Sequence, residues 1–142
     1  VSGYLLDVSV LSETLKVAAN EGVLQWFEET PESWLWVSVI TLGEVRKGIV
    51  RLPPSRKRDR YEWWLEVELR QQFAGRVLGV DEEVADVWGR LLGEGMAKGT
   101  PVPAIDTLLA ATALVHGLTL ATRKTRDIAG TGVRTVNPWL GG

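Results

Sequence analysis

Asp7, Glu44, Asp106 and Asp127 each stand where an apolar segment ends or a helix begins. Asp7 closes the run Tyr4-Leu5-Leu6, and Glu44 lies one helical turn after Val37-Ser38-Val39-Ile40. Asp106 opens the stretch Leu108 to Val115, and Asp127 follows Leu118-Thr119-Leu120-Ala121-Thr122. In open parallel sheets, sites are built outside the carboxyl ends of the strands. Brought together, the four carboxylates would make one acidic pocket. Two carboxylates about 5 Å apart repel by roughly 3 kcal/mol at an effective dielectric near 20, so such a pocket requires protons, water or a cation. Oxygen-only ligands select a hard ion, Mg²⁺ or Mn²⁺ rather than zinc. An ion of that kind activates water and offsets charge on a transferring phosphoryl group.

Three of the four acids also have a purely structural reading. Thr41-x-x-Glu44 matches a capping box, in which both side chains satisfy free N–H groups at a helix start. Asp106 suits the positive end of its helix, and Asp127 suits a turn. Asp7 has no such local explanation, with no basic residue nearby in sequence. Asp81-Glu82-Glu83 reads as a helix N-terminus and His116 as a favourable charge in a last turn, so neither is assigned chemistry.

Composition narrows the options. The 142 residues suit one domain, 1–142, with 45% apolar and 24% charged side chains. There is no Cys, which excludes disulfides and thiolate metal sites, and the single His excludes a His-rich zinc site. No apolar run approaches the ~18 residues of a membrane span, and no basic targeting segment is seen, so a soluble cytoplasmic protein is expected. The net charge is only -2, but Arg46, Lys47, Arg51, Arg56, Lys57, Arg58 and Arg60 face Asp59 alone, and Arg123, Lys124, Arg126 and Arg134 bracket Asp127. Basic patches on an acidic chain can hold a polyanion, although a solvated helix face uses the same residues.

The elements that must position these groups alternate. Strands are predicted at Tyr4-Leu6, Trp34 to Val39, Arg76 to Val80, Leu118 to Thr122 and Val133 to Val136. Helices are predicted after Ser9 or Ser12 as caps, over Gly22 to Glu29, from Thr41 to about Val50, and from a Ser55 cap to Phe73. Two more follow, one capped by Asp81 and ending in the Gly-rich stretch 93–99, the other from Asp106 to Gly117. This alternation predicts an α/β domain with a mostly parallel sheet of about five strands. Of seven Trp residues, Trp34, Trp36 and Trp88 are expected in the core. Trp63 and Trp64 are adjacent and must point to different helix faces, which leaves one for a dimer or partner contact.

Four blocks carry a resemblance. Leu6-Asp7-Val8-Ser9, Thr41-Leu42-Gly43-Glu44-Val45-Arg46-Lys47-Gly48-Ile49, Asp106-Thr107-Leu108-Leu109-Ala110-Ala111-Thr112-Ala113 and Ala121-Thr122-Arg123-Lys124-Thr125-Arg126-Asp127 resemble the PIN domain. Within it they are most similar to the VapC and FitB toxin ribonucleases. The closing Gly130-Thr131-Gly132-Val133 and Val136-Asn137-Pro138-Trp139 extend the likeness over nearly the whole chain. The resemblance implies a three-layer α/β/α fold, a Mg²⁺- or Mn²⁺-dependent endoribonuclease, an antitoxin partner of the VapB or FitA kind, and a homodimer. It implies Asp7, Glu44, Asp106 and Asp127 as the catalytic, metal-holding quartet, with Ser9 and Thr122 in secondary polar roles. Arg46, Lys47, Arg123 and Lys124 are then the residues to hold RNA. Two positions depart from the family pattern. Val8 stands where Thr is frequent, and Lys124 stands where Asn is common, placing a cation near the fourth carboxylate.

Two other readings predict different outcomes. A receiver domain would use Asp81 as phosphoacceptor and Lys124 as the distal lysine. A catalytically silent PIN module would serve only to hold an antitoxin.

Overall fold

The computed structural model describes residues 3–141. Strands Tyr4–Leu6 (β1), Leu35–Ser38 (β2), Val77–Leu78 (β3), Thr119–Ala121 (β4) and Thr135–Val136 (β5) form a parallel sheet in the order β3-β2-β1-β4-β5. All five strands lie within the expected segments; β1 matches its segment and the other four are shorter. Trp34 belongs to a 3₁₀ turn and Val39 already begins a helix, which trims β2 from both ends. The order also removes the receiver reading. A receiver places β3 beside β1, in the order 2-1-3-4-5, whereas here β3 is an edge strand and Asp81 caps a helix by accepting from Val84 N at 2.9 Å.

The helices are Val8–Glu13 (α1), Glu21–Glu29 (α2), Val39–Val50 (α3), Arg56–Trp63 (α4), Arg70–Gln72 (α5), Glu82–Ala97 (α6) and Ala104–His116 (α7). A π-helical segment, Trp64–Leu69, joins α4 to α5, so the long helix expected from Ser55 to Phe73 is present with a widened middle. Ser55 caps it, its Oγ accepting from Arg58 N at 3.1 Å. Gly117 ends α7 at φ 67°, a left-handed conformation that glycine adopts without cost.

Alternation along β1 divides the core. Leu6 faces one side, with Leu35 and Val37 of β2, and is covered by Val10 of α1, Trp26 of α2, Val45 and Ile49 of α3, Trp64 of the π segment and Phe73 just after α5. Leu5 faces the other side, with Leu120, beneath Leu109, Ala110 and Ala113 of α7. Helix α6 packs outside α7 through Val84 against Leu108 and Ala111. Helix α7 is therefore covered on both sides, and residues Thr107 through Ala113 are all buried. Its buried hydroxyls are satisfied locally, Thr107 bonding Pro103 O and Thr112 bonding Leu108 O, each at 2.8 Å. This is a three-layer α/β/α sandwich.

The tryptophans distribute differently from the expectation. Trp26 and Trp64 are buried, while Trp34 is exposed in its 3₁₀ turn and Trp36 and Trp88 are only partly covered. Trp63 and Trp64 do point apart, with Trp63 58% exposed and Trp64 at 6%. Among the described residues no helix is long and apolar enough to cross a membrane.

Candidate active site at the switch point of the sheet

Strands β1, β2 and β3 step one way across the sheet and β4 and β5 step the other, so the order reverses between β1 and β4. That reversal opens a crevice at the strand carboxyl ends. The register Leu6 to Ala121 puts Asp7 and Thr122 side by side there, joined by a bond from Asp7 N to Ala121 O at 3.1 Å. Thr122 Oγ1 donates to Asp7 Oδ2 at 2.5 Å. Asp7 Oδ1 accepts from Ser9 N at 2.7 Å, Ser9 Oγ at 2.5 Å and Val10 N at 3.2 Å. Asp7, not Ser9 or Ser12, is thus the cap of α1. A carboxylate that directly follows the strand meets the first free N–H groups of the helix before either serine does.

Glu44 arrives by way of β2. Ser38 caps α3 by accepting from Ile40 N at 3.0 Å, so α3 starts at Val39 rather than at Thr41. That start puts Glu44 past the first turn, and no capping box forms. Thr41 is fully buried, with no partner for its hydroxyl among the described residues. Glu44 is half-buried and turns toward the crevice. Burial pushes its carboxyl above the ordinary glutamate value, the charges of Asp7 and Asp106 push the same way, and Lys124 and Lys47 pull it back in part.

Asp106 lies in the first turn of α7, a helix whose C-terminus feeds β4 and whose N-terminus therefore sits over the strand carboxyl ends. Lys124 Nζ lies 3.4 Å from Asp106 Oδ1. The backbone N of Lys124 donates to Thr122 Oγ1 at 3.0 Å. A continuous chain of contacts thus runs from Asp7 through Thr122 and Lys124 to Asp106, with Glu44 facing it. Asp127 is outside this chain. It is exposed, in a turn two residues before the short 3₁₀ segment Ala129–Thr131. Lys124, read from sequence as a cation beside the fourth carboxylate, pairs with the third.

The residues assigned to RNA are placed unevenly. Arg46 pairs with Glu66 at 2.8 Å, and Lys47 is exposed beside Glu44. The Arg123 guanidinium stacks over Trp139, 4.2 Å from the ring centroid, because β5 and its continuation run alongside β4. Sequence reading missed Trp139. The signal was its place three residues beyond β5, next to the position that the β4–β5 register sets opposite Arg123. An apolar groove of about 250 Å³, lined by Val8, Leu15, Val45, Ile49, Tyr61 and Trp64 among others, runs up to Glu44.

The donors fit a hard cation by type. Asp7, Glu44 and Asp106 offer only oxygen. With about four acceptor positions on a carboxylate, the Oδ2 atom of Asp7 keeps one free after Thr122 is served. Among the described residues, however, no three carboxylates or histidines are drawn together as a formed metal site. The pocket has the donors of such a site with an ammonium group lying among them.

Glu44 gives a pH prediction. With its pKa raised, the folded state holds the proton more tightly than the unfolded chain, so stability falls as pH rises from the ordinary value of 4.5 through the raised one. In EDTA, Glu44→Gln removes that fall. The variant is expected to melt higher than the parent at neutral pH, with the difference vanishing well into acid, in a thermal denaturation series across pH.

Fold and site together define a parallel α/β/α domain that gathers carboxylates at its switch point. The PIN domain model matches residues 4–129, and the chain belongs to the PIN domain family. It is 36% identical over 135 residues to the protein named toxin FitB of Neisseria gonorrhoeae, covering 95% of this chain and 97% of that one. To the protein named VapC ribonuclease Y4jK of Sinorhizobium fredii it is 33% identical, covering 95% and 96%. Among solved structures, that of FitAB bound to an IR36 DNA fragment superposes with a TM-score of 0.90 at 34% identity, covering 96% of this chain and 95% of that one.

Proposed function

We propose that this chain is a divalent-cation-dependent endoribonuclease and the toxin of a toxin–antitoxin pair of the VapBC or FitAB kind. The observation that carries the proposal is the contact chain from Asp7 through Thr122 and Lys124 to Asp106, with Glu44 facing it, at the switch point of the sheet. The names of the relatives, a toxin and a ribonuclease, support it.

Asp7, Glu44 and Asp106 would hold Mg²⁺ or Mn²⁺. Such an ion supplies an activated water and charge stabilisation for a phosphodiester. The chain's own residues do the rest. Ser9 and Thr122 fix the rotation of the Asp7 carboxylate by donating to its two oxygens. Glu44, with its carboxyl pushed up by burial, is the residue suited to take a proton from attacking water. Lys47 and Arg123 border the crevice as cations for the RNA backbone, Arg123 held flat by Trp139. Asp127 would have to swing in from its exposed turn to join the quartet.

The partner follows from the groove beside Glu44. An apolar trough that ends at an acidic pocket suits a segment with apolar side chains followed by a basic one. An antitoxin of the FitA or VapB kind is proposed to lie there and block the pocket. A homodimer belongs to the same proposal, with exposed Trp63 as a candidate contact. The test is activity before and after partner removal. The co-purified complex should be silent on RNA and the separated chain active. A separated chain that stays silent under every divalent ion would favour the catalytically silent module.

A further inference from the structure

We propose that Lys124 is a built-in counter-ion of the acidic pocket, its ammonium standing at Asp106 in the place of a divalent cation, so that loading the pocket requires Lys124 to swing out. The inference rests on the cation-binding reading above and deepens it.

The geometry is that of a tether. At its backbone, Lys124 is pinned to the Asp7 side of the crevice, N donating to Thr122 Oγ1, which itself donates to Asp7 Oδ2. At its tip, Nζ reaches Asp106 on α7. Lys124 therefore bridges the Asp7 side of the crevice and the start of α7. Its side chain is 51% exposed while that of Asp106 is 15% exposed, so the lysine can leave for solvent and the acid cannot. The 3.4 Å separation is longer than the roughly 2.7–2.9 Å of a strong charge-assisted bond, which makes the ammonium a loosely held occupant.

Two consequences follow. Without a divalent ion the carboxylates still face a positive charge, so the pocket is less strained than three bare acids would be. The same ammonium competes with an incoming ion and lowers its affinity. Once displaced, it stands beside Arg123 at the mouth of the crevice, where a phosphate of a bound polyanion would meet both.

The test compares the full chain with Lys124→Asn. Free Mn²⁺ is counted by electron paramagnetic resonance during titration, and melting temperature is read in EDTA. The variant should bind Mn²⁺ about threefold to tenfold more tightly and melt a few degrees lower in EDTA, the scale of a partly exposed ion pair. Arg126→Gln removes the same charge from the same loop, and among the described residues Arg126 makes no salt bridge to Asp106. That variant should change neither quantity. If Lys124→Asn binds Mn²⁺ no tighter than a parent that does bind it, the counter-ion assignment is overturned while the cation-binding reading stands. An equal gain in Arg126→Gln also overturns it, since a diffuse field would then suffice. No Mn²⁺ binding to either protein removes the cation-binding reading and the competition together.

Discussion

Asp7→Asn is expected to lower RNA cleavage by about a thousandfold or more while leaving a folded protein. Removing one preorganised electrostatic group at a reacting centre costs on the order of 10²–10³ in rate, and Asp7 has two further jobs that push the loss to the upper end. Among the described residues it is the only carboxylate placed directly at the β1 end of the switch point, and it fixes Thr122 and, through it, Lys124. The fold survives because Asn caps a helix about as well as Asp, so the bonds from Ser9 N and Val10 N are kept. Asp7→Ala should behave differently. It loses the cap, about 0.5–2 kcal/mol, and strands the buried Thr122 hydroxyl, about 1–3 kcal/mol more. Steady-state cleavage with a melting curve for each variant separates the chemical loss from the structural one. Unchanged cleavage in a folded Asp7→Asn protein removes Asp7 from the site.

The largest effect on stability is expected at Phe73. The side chain is fully buried at the end of the helix formed by α4, the π segment and α5, in one cluster with Trp64, Leu65 and Leu69. A buried Phe→Ala change costs about 3–5 kcal/mol through lost transfer energy and the cavity left behind. Against a total of roughly 5–15 kcal/mol for a domain of this kind, that is a major fraction. Phe73 also carries the Arg76 guanidinium, 5.7 Å from its ring centroid, and Arg76 O accepts from Val37 N at 3.1 Å where β3 joins the sheet. Phe73→Ala should therefore lower the melting temperature by roughly 10–15 °C and loosen the β3 edge first, read by circular dichroism and amide exchange at Val37. A fall of only a degree or two would mean that the cluster does not depend on the ring.

These residues also show what was legible in the sequence. The alternation of strands and helices was, because apolar runs closed by a carboxylate mark strand ends; the three layers came only with the family resemblance. Helix starts at Ser55 and Asp81 were legible from cap chemistry. The starts at Val8 and Val39 were not, since Asp7 and Ser38 are at once strand ends and caps, and the local pattern offered Ser9 and Thr41 as rivals. The π segment was hidden as well. Trp64 and Leu65 are adjacent and both buried, a demand that tertiary packing makes and a fourfold repeat does not announce.

Asp7 and Asp106 could be placed at element ends, but the position of Glu44 past the first turn of α3 and the partner of Lys124 could not. Lys124 and Asp106 are eighteen positions apart, and only the β1–β4 register and the crossing of α7 set their distance. In sequence Lys124 is nearest Asp127. In space that acid is turned to solvent and Lys124 reaches the other way.

The central claim is that the acidic crevice cuts RNA with the help of a hard divalent ion. It is tested most directly by incubating the partner-free chain with single-stranded RNA in Mn²⁺, in Mg²⁺, and in EDTA, and following the fragments on a denaturing gel. Internal cleavage is expected in at least one of the two ions, none in EDTA, and recovery when the ion is restored. Cleavage that proceeds equally in EDTA, or RNA left intact in both ions by a folded, partner-free chain, would contradict it.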